Sequence, residues 1–317
     1  GPVALEAEMT RPVSIAHRLE YAGLRAAVAA LSAVGWRRAS SLGGALGRLG
    51  YRPFGVRRDV VERQIAAAFP EWNADRVAQV ARASYDHLGR LAVETALMPS
   101  LGRERILDLV SRTTGWDLVE QAIEARRGLL LIAGHFGNWE VSGAYIAARG
   151  VPVDVIVRRM SNPIFDRYLN QTRADLGMTV VYDADAVRRT TRSLKEGRAI
   201  GFLADQGVLN LASTHVPFFG RPAKTPRGPA VFTLRYHVPT LFVAAIREPD
   251  GRFHLSFQNV PYEETGDRER DVDGIVASYT RILEGLVRQT PEQYFWQHRR
   301  WKHQPADTLP ALRDPAA

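Results

Sequence analysis

His135 and Glu140 close off the stretch "GHFGNWE" (residues 134–140), which follows directly on the apolar run "LLLIA". An imidazole takes up and returns a proton near neutrality, and a carboxylate bonded to one ring nitrogen fixes the tautomer and leaves the other nitrogen as acceptor. In one continuous helix, five steps would turn these two side chains roughly 140° apart, too far to cooperate. Gly137 can take a backbone conformation closed to other residues and Asn138 is a favoured helix N-cap, so the stretch reads as strand, turn and then a helix starting near Trp139. His135 then lies in the turn and Glu140 in the first helical turn, where the anion is favoured and the two can meet. The chain has no cysteine and no G-x-S-x-G elbow. A His-Glu general base would therefore activate a hydroxyl or amine of the substrate in a direct group transfer. The spacing alone also fits a histidine ending a strand and a glutamate solvating a helix. It is not H-E-x-x-H, and neither His215 nor His237 is spaced as a further ligand, so no metal is expected.

The elements that must position this pair follow from hydrophobic pattern. After Gly115, short apolar runs alternate with helical stretches. Strands are expected at 128–134, 151–157, 178–182, 199–204, 240–246 and 253–258, with helices at 139–149, 162–176, 185–196, 226–237 and 271–289. Such alternation makes an α/β fold with a mostly parallel central sheet flanked by helices, and sites in such sheets lie at the carboxyl ends of the strands, where His135 falls. The first hundred residues read as helical. The expected division is an N-terminal helical, membrane-associating region (12–112), an α/β catalytic core (113–304) and a loosely ordered Pro- and Ala-rich tail (305–317).

The 317 residues carry 42 Lys+Arg against 34 Asp+Glu, a net charge of +8. The excess favours contact with phosphate on nucleic acid, an anionic membrane or a phosphorylated cofactor. Zero cysteines exclude disulfides, a thiolate nucleophile and a Cys-based metal site. From Ser14 to Gly50, Leu19, Leu24, Val28, Leu31 and Val34 interleave with Arg18, Arg25, Arg37, Arg38 and Arg48, a stripe suited either to anionic lipid or to packing on the rest of the chain. The longest uncharged N-terminal run, residues 26–36, falls short of the roughly 20 apolar residues that span a bilayer.

The wording of "GHFGNWE" resembles the H-x4-D/E signature of membrane glycerolipid and lipid A acyltransferases, and specifically the late lipid A (lauroyl/myristoyl) acyltransferase family. "QIAAAFPEW" (64–72), "VIVRRMSNPIFD" (155–166), "SLKEGRAIGFLADQ" (193–206), "VPFFGRPAKTPRGPA" (216–230) and "YFWQHRRWK" (294–302) agree in the same order. "LADQ" and "PFFG" also resemble the phosphatidylinositol mannoside acyltransferases, while "LADQGVLNLASTHVPFF" diverges in its middle. The resemblance implies a glycerolipid acyltransferase-like fold and an O-acyltransferase working at the cytoplasmic face of the bacterial inner membrane, peripheral or monotopic. The acyl chain would come from acyl-ACP (acyl-carrier protein) or acyl-CoA (coenzyme A) as co-substrate, with no bound cofactor, and pass to a hydroxyl of a membrane glycolipid such as a lipid A precursor of lipopolysaccharide. It further implies His135 as base, Glu140 as its orienting acid, and Arg158, Arg159, Asp205 and Asn138 as oxyanion or substrate-binding residues. Alternatives are a phosphatidylinositol mannoside or amine acceptor, and a non-catalytic lipid-binding protein of the same fold.

Lys224 and Arg227 precede a helix start near Pro229, and Arg299 and Arg300 stand among His298, Lys302, His303, Trp296 and Trp301; these cations would bind phosphate or a lipid headgroup. No helix-turn-helix, zinc finger or RNP-like string supports nucleic acid as partner. Trp139, Phe136, Phe202, Phe218 and Phe219 read as core.

Overall fold

The computed structural model describes residues 14–160, 162–207 and 212–317. Ser161 and residues 208–211, the centre of the diverged stretch, lie outside the described residues, as do residues 1–13. Four helices come first: α1 (Ile15–Val34), α2 (Trp36–Tyr51), α3 (Arg58–Ala68) and α4 (Ala74–Leu97), followed by the short α5 (Arg103–Asp108). Asn73 caps α4 by accepting from the Arg76 N–H, which satisfies one of the helix's orphan donors. Helices α2 and α4 touch backbone to backbone: a Cβ on Gly47 would lie 2.0 Å from the Tyr85 carbonyl oxygen, and one on Gly89 2.1 Å from that of Gly43. No larger residue fits at this seam.

The core then runs β1 (Val110–Thr114), α6 (Trp116–Glu124), β2 (Leu129–Ala133), α7 (Trp139–Ala148), β3 (Val153–Val157), α8 (Pro163–Asp175), β4 (Met178–Tyr182), α9 (Ala186–Lys195), β5 (Ala199–Leu203), β6 (Ser213–Phe218), β7 (Arg221–Pro226), α10 (Gly228–Tyr236), β8 (Thr240–Arg247), β9 (Phe253–Asn259) and α11 (Arg268–Gln289). Seven strands form one sheet in the order β1-β9-β8-β2-β5-β3-β4. The five from β8 to β4 are parallel; β9 runs antiparallel to β8, and β1 is parallel to β9. The mixed sheet, its flanking helices and the N-terminal helical region match the expected architecture. Leu129, Leu130, Leu131 and Ile132 of β2 are buried to 2% or less, as a central strand covered on both faces requires.

The β6–β7 hairpin, absent from the sequence reading, carries Pro217, Pro222 and Pro226. Proline is tolerated in a two-stranded ribbon with free outer edges, and Phe219 and Gly220 turn it with positive φ at both positions. Beyond Gln304 the chain lies against the core: Arg299 pairs with Asp314 and Arg221 donates to the carbonyls of Ala311 and Arg313. The tail expected to be loose is thus tied at three points.

A histidine held by an aspartate at the carboxyl ends of two strands

Strands β2 and β5 pair with Ala133 level with Leu203, and the Ala204 N–H still reaches the Ala133 carbonyl. Two residues beyond each strand end stand His135 and Asp205. The carboxylate of Asp205 accepts from the His135 backbone N–H at 3.0 Å and bonds the ring Nδ1 at 2.6 Å. Among the described residues Nε2, the imidazole's other nitrogen, has no hydrogen-bond partner. The ring is 18% exposed, lying between the edge of Trp139 (centroids 4.9 Å apart) and Phe295 (6.1 Å).

Burial pushes the Asp205 carboxyl up, but the facing His135 ring, its hydrogen bond and the Arg300 guanidinium outweigh it and hold the pKa below the usual carboxylate value. The anion is therefore kept beside the histidine. Tyr294, fully buried, lies against both Asp205 and Arg300; burial and the neighbouring carboxylate push its phenol up. His298 lies within the field of the same pair, and burial brings its imidazole down to about 4, so it is neutral near pH 7.

The turn itself is pinned at nearly every backbone group. Gly137 has φ +61°, and a Cβ there would stand 2.0 Å from the Ala245 carbonyl oxygen. The Gly137 N–H donates to Gln293, the Asn138 N–H to Ala245, and the Phe295 N–H to the His135 carbonyl. Behind the turn, His87 bonds the Gly137 carbonyl through Nε2 at 3.0 Å; burial lowers its imidazole to about 4. The break at Gly137-Asn138 and the helix start at Trp139 are as the sequence reading expects.

Several expected site residues have other partners. Glu140, expected to orient His135, is instead held by Arg173 of α8 through two bonds of 2.5 and 3.1 Å, so the carboxylate on His135 belongs to Asp205. The reason is reach: Asp205 extends from the neighbouring strand in register, whereas Glu140 sits on α7 beside α8. Asn138, expected at the substrate, is fully buried, with its oxygen capping α7 at Val141 and its amide donating to Glu94. Arg158 is exposed and pairs with Asp183 at 3.4 Å, and Arg159 lies 4.1 Å over the ring of Tyr182. Among the described residues neither shares a hydrogen bond or ion pair with His135, Glu140 or Asp205.

Three of the four expected phosphate-binding cations are also engaged. Arg227 pairs with Glu269 and Asp273, and Arg299 with Asp314. Arg300 is 3% exposed and holds the Lys224 carbonyl and the Thr225 hydroxyl, which braces β7 beneath Asp205. Lys224 contributes only its backbone carbonyl to this arrangement. Trp296 and Trp301 are wholly buried core residues and cannot lie at a membrane interface.

Beside the histidine a narrow apolar cavity runs between α7 and the sheet. Glu140, Trp139 and Arg173 line it together with Ile146, Met178 and Phe202. Phe202, read as core from the sequence, is one of its walls. Among the described residues no group of three or more His, Asp or Glu side chains could hold a metal ion. The arrangement is an imidazole with a buried carboxylate on its Nδ1, and Trp139, packed against that ring, is one wall of the apolar slot.

Residues 14–303 match the family model described as bacterial lipid A biosynthesis acyltransferase. Two relatives from Escherichia coli (strain K12), a lipid A biosynthesis lauroyltransferase and a lipid A biosynthesis palmitoleoyltransferase, are each 24% identical, the first over 83% of this chain and 85% of its own length, the second over 80% and 82%. A phosphatidylinositol mannoside acyltransferase of Mycobacterium tuberculosis (strain ATCC 25618 / H37Rv) is 27% identical over 47% of this chain and 48% of its own. The chain is an acyltransferase. It belongs to the bacterial lipid A biosynthesis acyltransferase family.

Proposed function

We propose that this acyltransferase moves a fatty acyl chain from an acyl thioester, acyl-ACP or acyl-CoA, to a hydroxyl of a membrane glycolipid such as a lipid A precursor. The observation that carries the proposal is the 2.6 Å bond between His135 Nδ1 and Asp205, which leaves Nε2 as the ring nitrogen available to a substrate. Nε2 takes the proton of the acceptor hydroxyl as its oxygen attacks the thioester carbonyl. The tetrahedral intermediate collapses with cleavage of the C–S bond, and the imidazolium returns its proton to the departing thiolate. Asp205 keeps the tautomer and stabilises the transient imidazolium without itself taking the proton. The acyl chain occupies the apolar slot beside Trp139. A lipid A type acceptor is favoured because the two Escherichia coli lipid A relatives align over 83% and 80% of the chain, against 47% and 60% for phosphatidylinositol mannoside acyltransferases of Mycobacterium tuberculosis and Mycolicibacterium smegmatis.

The enzyme would work as a peripheral protein on the cytoplasmic face of the inner membrane. Among the described residues no helix is long and apolar enough to cross a membrane. The N-terminal helices nevertheless expose Ile15, Leu19, Leu42, Leu46 and Leu49, and the loop after α2 exposes Phe54 and Val56. Leu42, Leu46 and Leu49 recur at helical spacing on one face of α2, with Arg38 and Arg48 on the same helix, which suits an anionic lipid surface.

The test is to incubate the purified protein with labelled acyl-CoA or acyl-ACP and a total lipid extract, for wild type and His135→Ala. Transfer to lipid, or slow thioester hydrolysis, is expected from wild type and not from the variant. Full activity in the variant rejects His135 as the base.

A further inference from the structure

Glu94 of α4 is 0% exposed, a place where a lone carboxylate would be strongly disfavoured. Its two oxygens are saturated: Oε1 accepts from Ser40 Oγ at 2.6 Å and Arg247 Nη1 at 2.7 Å, and Oε2 from Arg247 Nη2 at 2.6 Å and Asn138 Nδ2 at 2.8 Å. Three segments distant in sequence, α2, α4 and the end of β8, therefore converge on the residue that begins α7. Because a carboxylate only accepts, it also dictates which way the Asn138 amide faces. Nδ2 must point at Glu94, and Oδ1 is then left to accept the Val141 N–H at 3.1 Å.

A buried ion pair is a poor device for stability, since well-packed apolar side chains of similar volume are as good or better. What it supplies is direction. The turn it holds needs that, because Gly137 is in the left-handed region and such conformations persist only where surrounding contacts over-determine them. Starting from the acid–base reading of His135, we propose that Glu94 is a positioning residue for acyl transfer: acting through Asn138, it fixes the turn that carries His135 and the first turn of α7. The N-terminal helical layer is then part of the catalytic apparatus. His87, seven residues earlier on the same helix, holds the Gly137 carbonyl from the same side.

Asn138→Ser isolates the contact, because serine still caps the Val141 N–H but has no amide to offer Glu94. Glu94→Gln, Asn138→Ser and the double variant are compared with wild type for transfer from labelled acyl-CoA, with folding followed by thermal unfolding. The expected result is a fall in kcat of about tenfold or more in each single variant. KM for the donor stays within about twofold. Glu94→Gln costs little further in the Asn138→Ser background, since Glu94 acts through Asn138. Wild-type kcat in folded Asn138→Ser overturns the proposal even if Glu94→Gln does not fold; so does full additivity of the two losses. His135→Ala is run in the same assay, and its retention of activity would count against the base and not against Glu94. In that event hydrogen exchange of residues 135–141 decides: faster exchange in Asn138→Ser supports the positioning role, and unchanged exchange rejects it.

Discussion

Asp205 grips His135 twice, at the ring nitrogen and at the backbone N–H, from the equivalent position on the adjacent parallel strand. The double contact sets both the ring's tautomer and the path of the chain that carries it. Side chain and turn are thereby oriented by one carboxylate that is itself held as the anion.

The Glu140–Arg173 pair is mostly buried, with side chains 12% and 18% exposed. Removing one partner strands the other. Arg173→Met is expected to destabilise the protein by about 3–5 kcal/mol, and Glu140→Gln added to it should recover most of that. Urea unfolding of the two variants beside wild type measures both effects.

Gly137→Ala asks an alanine to adopt φ +61° with its Cβ 2.0 Å from a carbonyl oxygen. Backbone strain of this kind alone costs roughly 1–3 kcal/mol, and the clash adds to it. The variant should melt well below wild type and transfer no acyl chain. A melting temperature unchanged within error would mean the turn has another conformation.

His87 titrates at about 4 when folded against an ordinary value of 6.5, because burial disfavours its charged form. Between those values the unfolded chain binds the proton and the folded chain does not, so stability falls as pH drops from about 6.5 to about 4 and this contribution levels off below. His87→Gln removes the penalty. Relative to wild type it should gain on the order of 3 kcal/mol between pH 7 and pH 4, read by denaturant unfolding at several pH values. A constant offset across that range would show that His87 is not the group responsible.

Membrane binding through α2 and the loop after it predicts flotation with anionic liposomes that weakens as salt rises. Leu46→Ser with Phe54→Ser, both on exposed positions, should abolish flotation and leave the fold intact. Equal flotation of that variant would move the lipid contact elsewhere.

The strands of the parallel sheet were legible because each is an apolar run bounded by turn residues; Met178–Tyr182 coincides with its expected limits and the others shift by two residues or fewer. Val110–Thr114, "VSRTT", was not, since an edge strand half open to solvent carries no such run. At the site, His135, Asn138 as N-cap and the break at Gly137 were readable from local chemistry. The identity of the carboxylate on His135 was not, because Glu140 is near in sequence and Asp205 only across the sheet. A usable signal did exist: Asp205, like His135, stands two residues past an apolar strand, and parallel pairing of those strands brings such positions level. Glu94 and His87 carried no signal of that kind. A polar residue on an amphipathic helix announces burial only when its partners from other elements are known.

If His135 and Asp205 work as one unit, a double-mutant cycle on turnover shows it. With labelled acyl-CoA and lipid extract, His135→Ala should abolish transfer to within the background. Asp205→Asn should lose on the order of 10²–10⁴ in kcat while remaining folded. The double variant should be no slower than His135→Ala alone. An Asp205→Asn enzyme turning over at the wild-type rate, or a double variant slower than His135→Ala by the full Asp205→Asn factor, would contradict it.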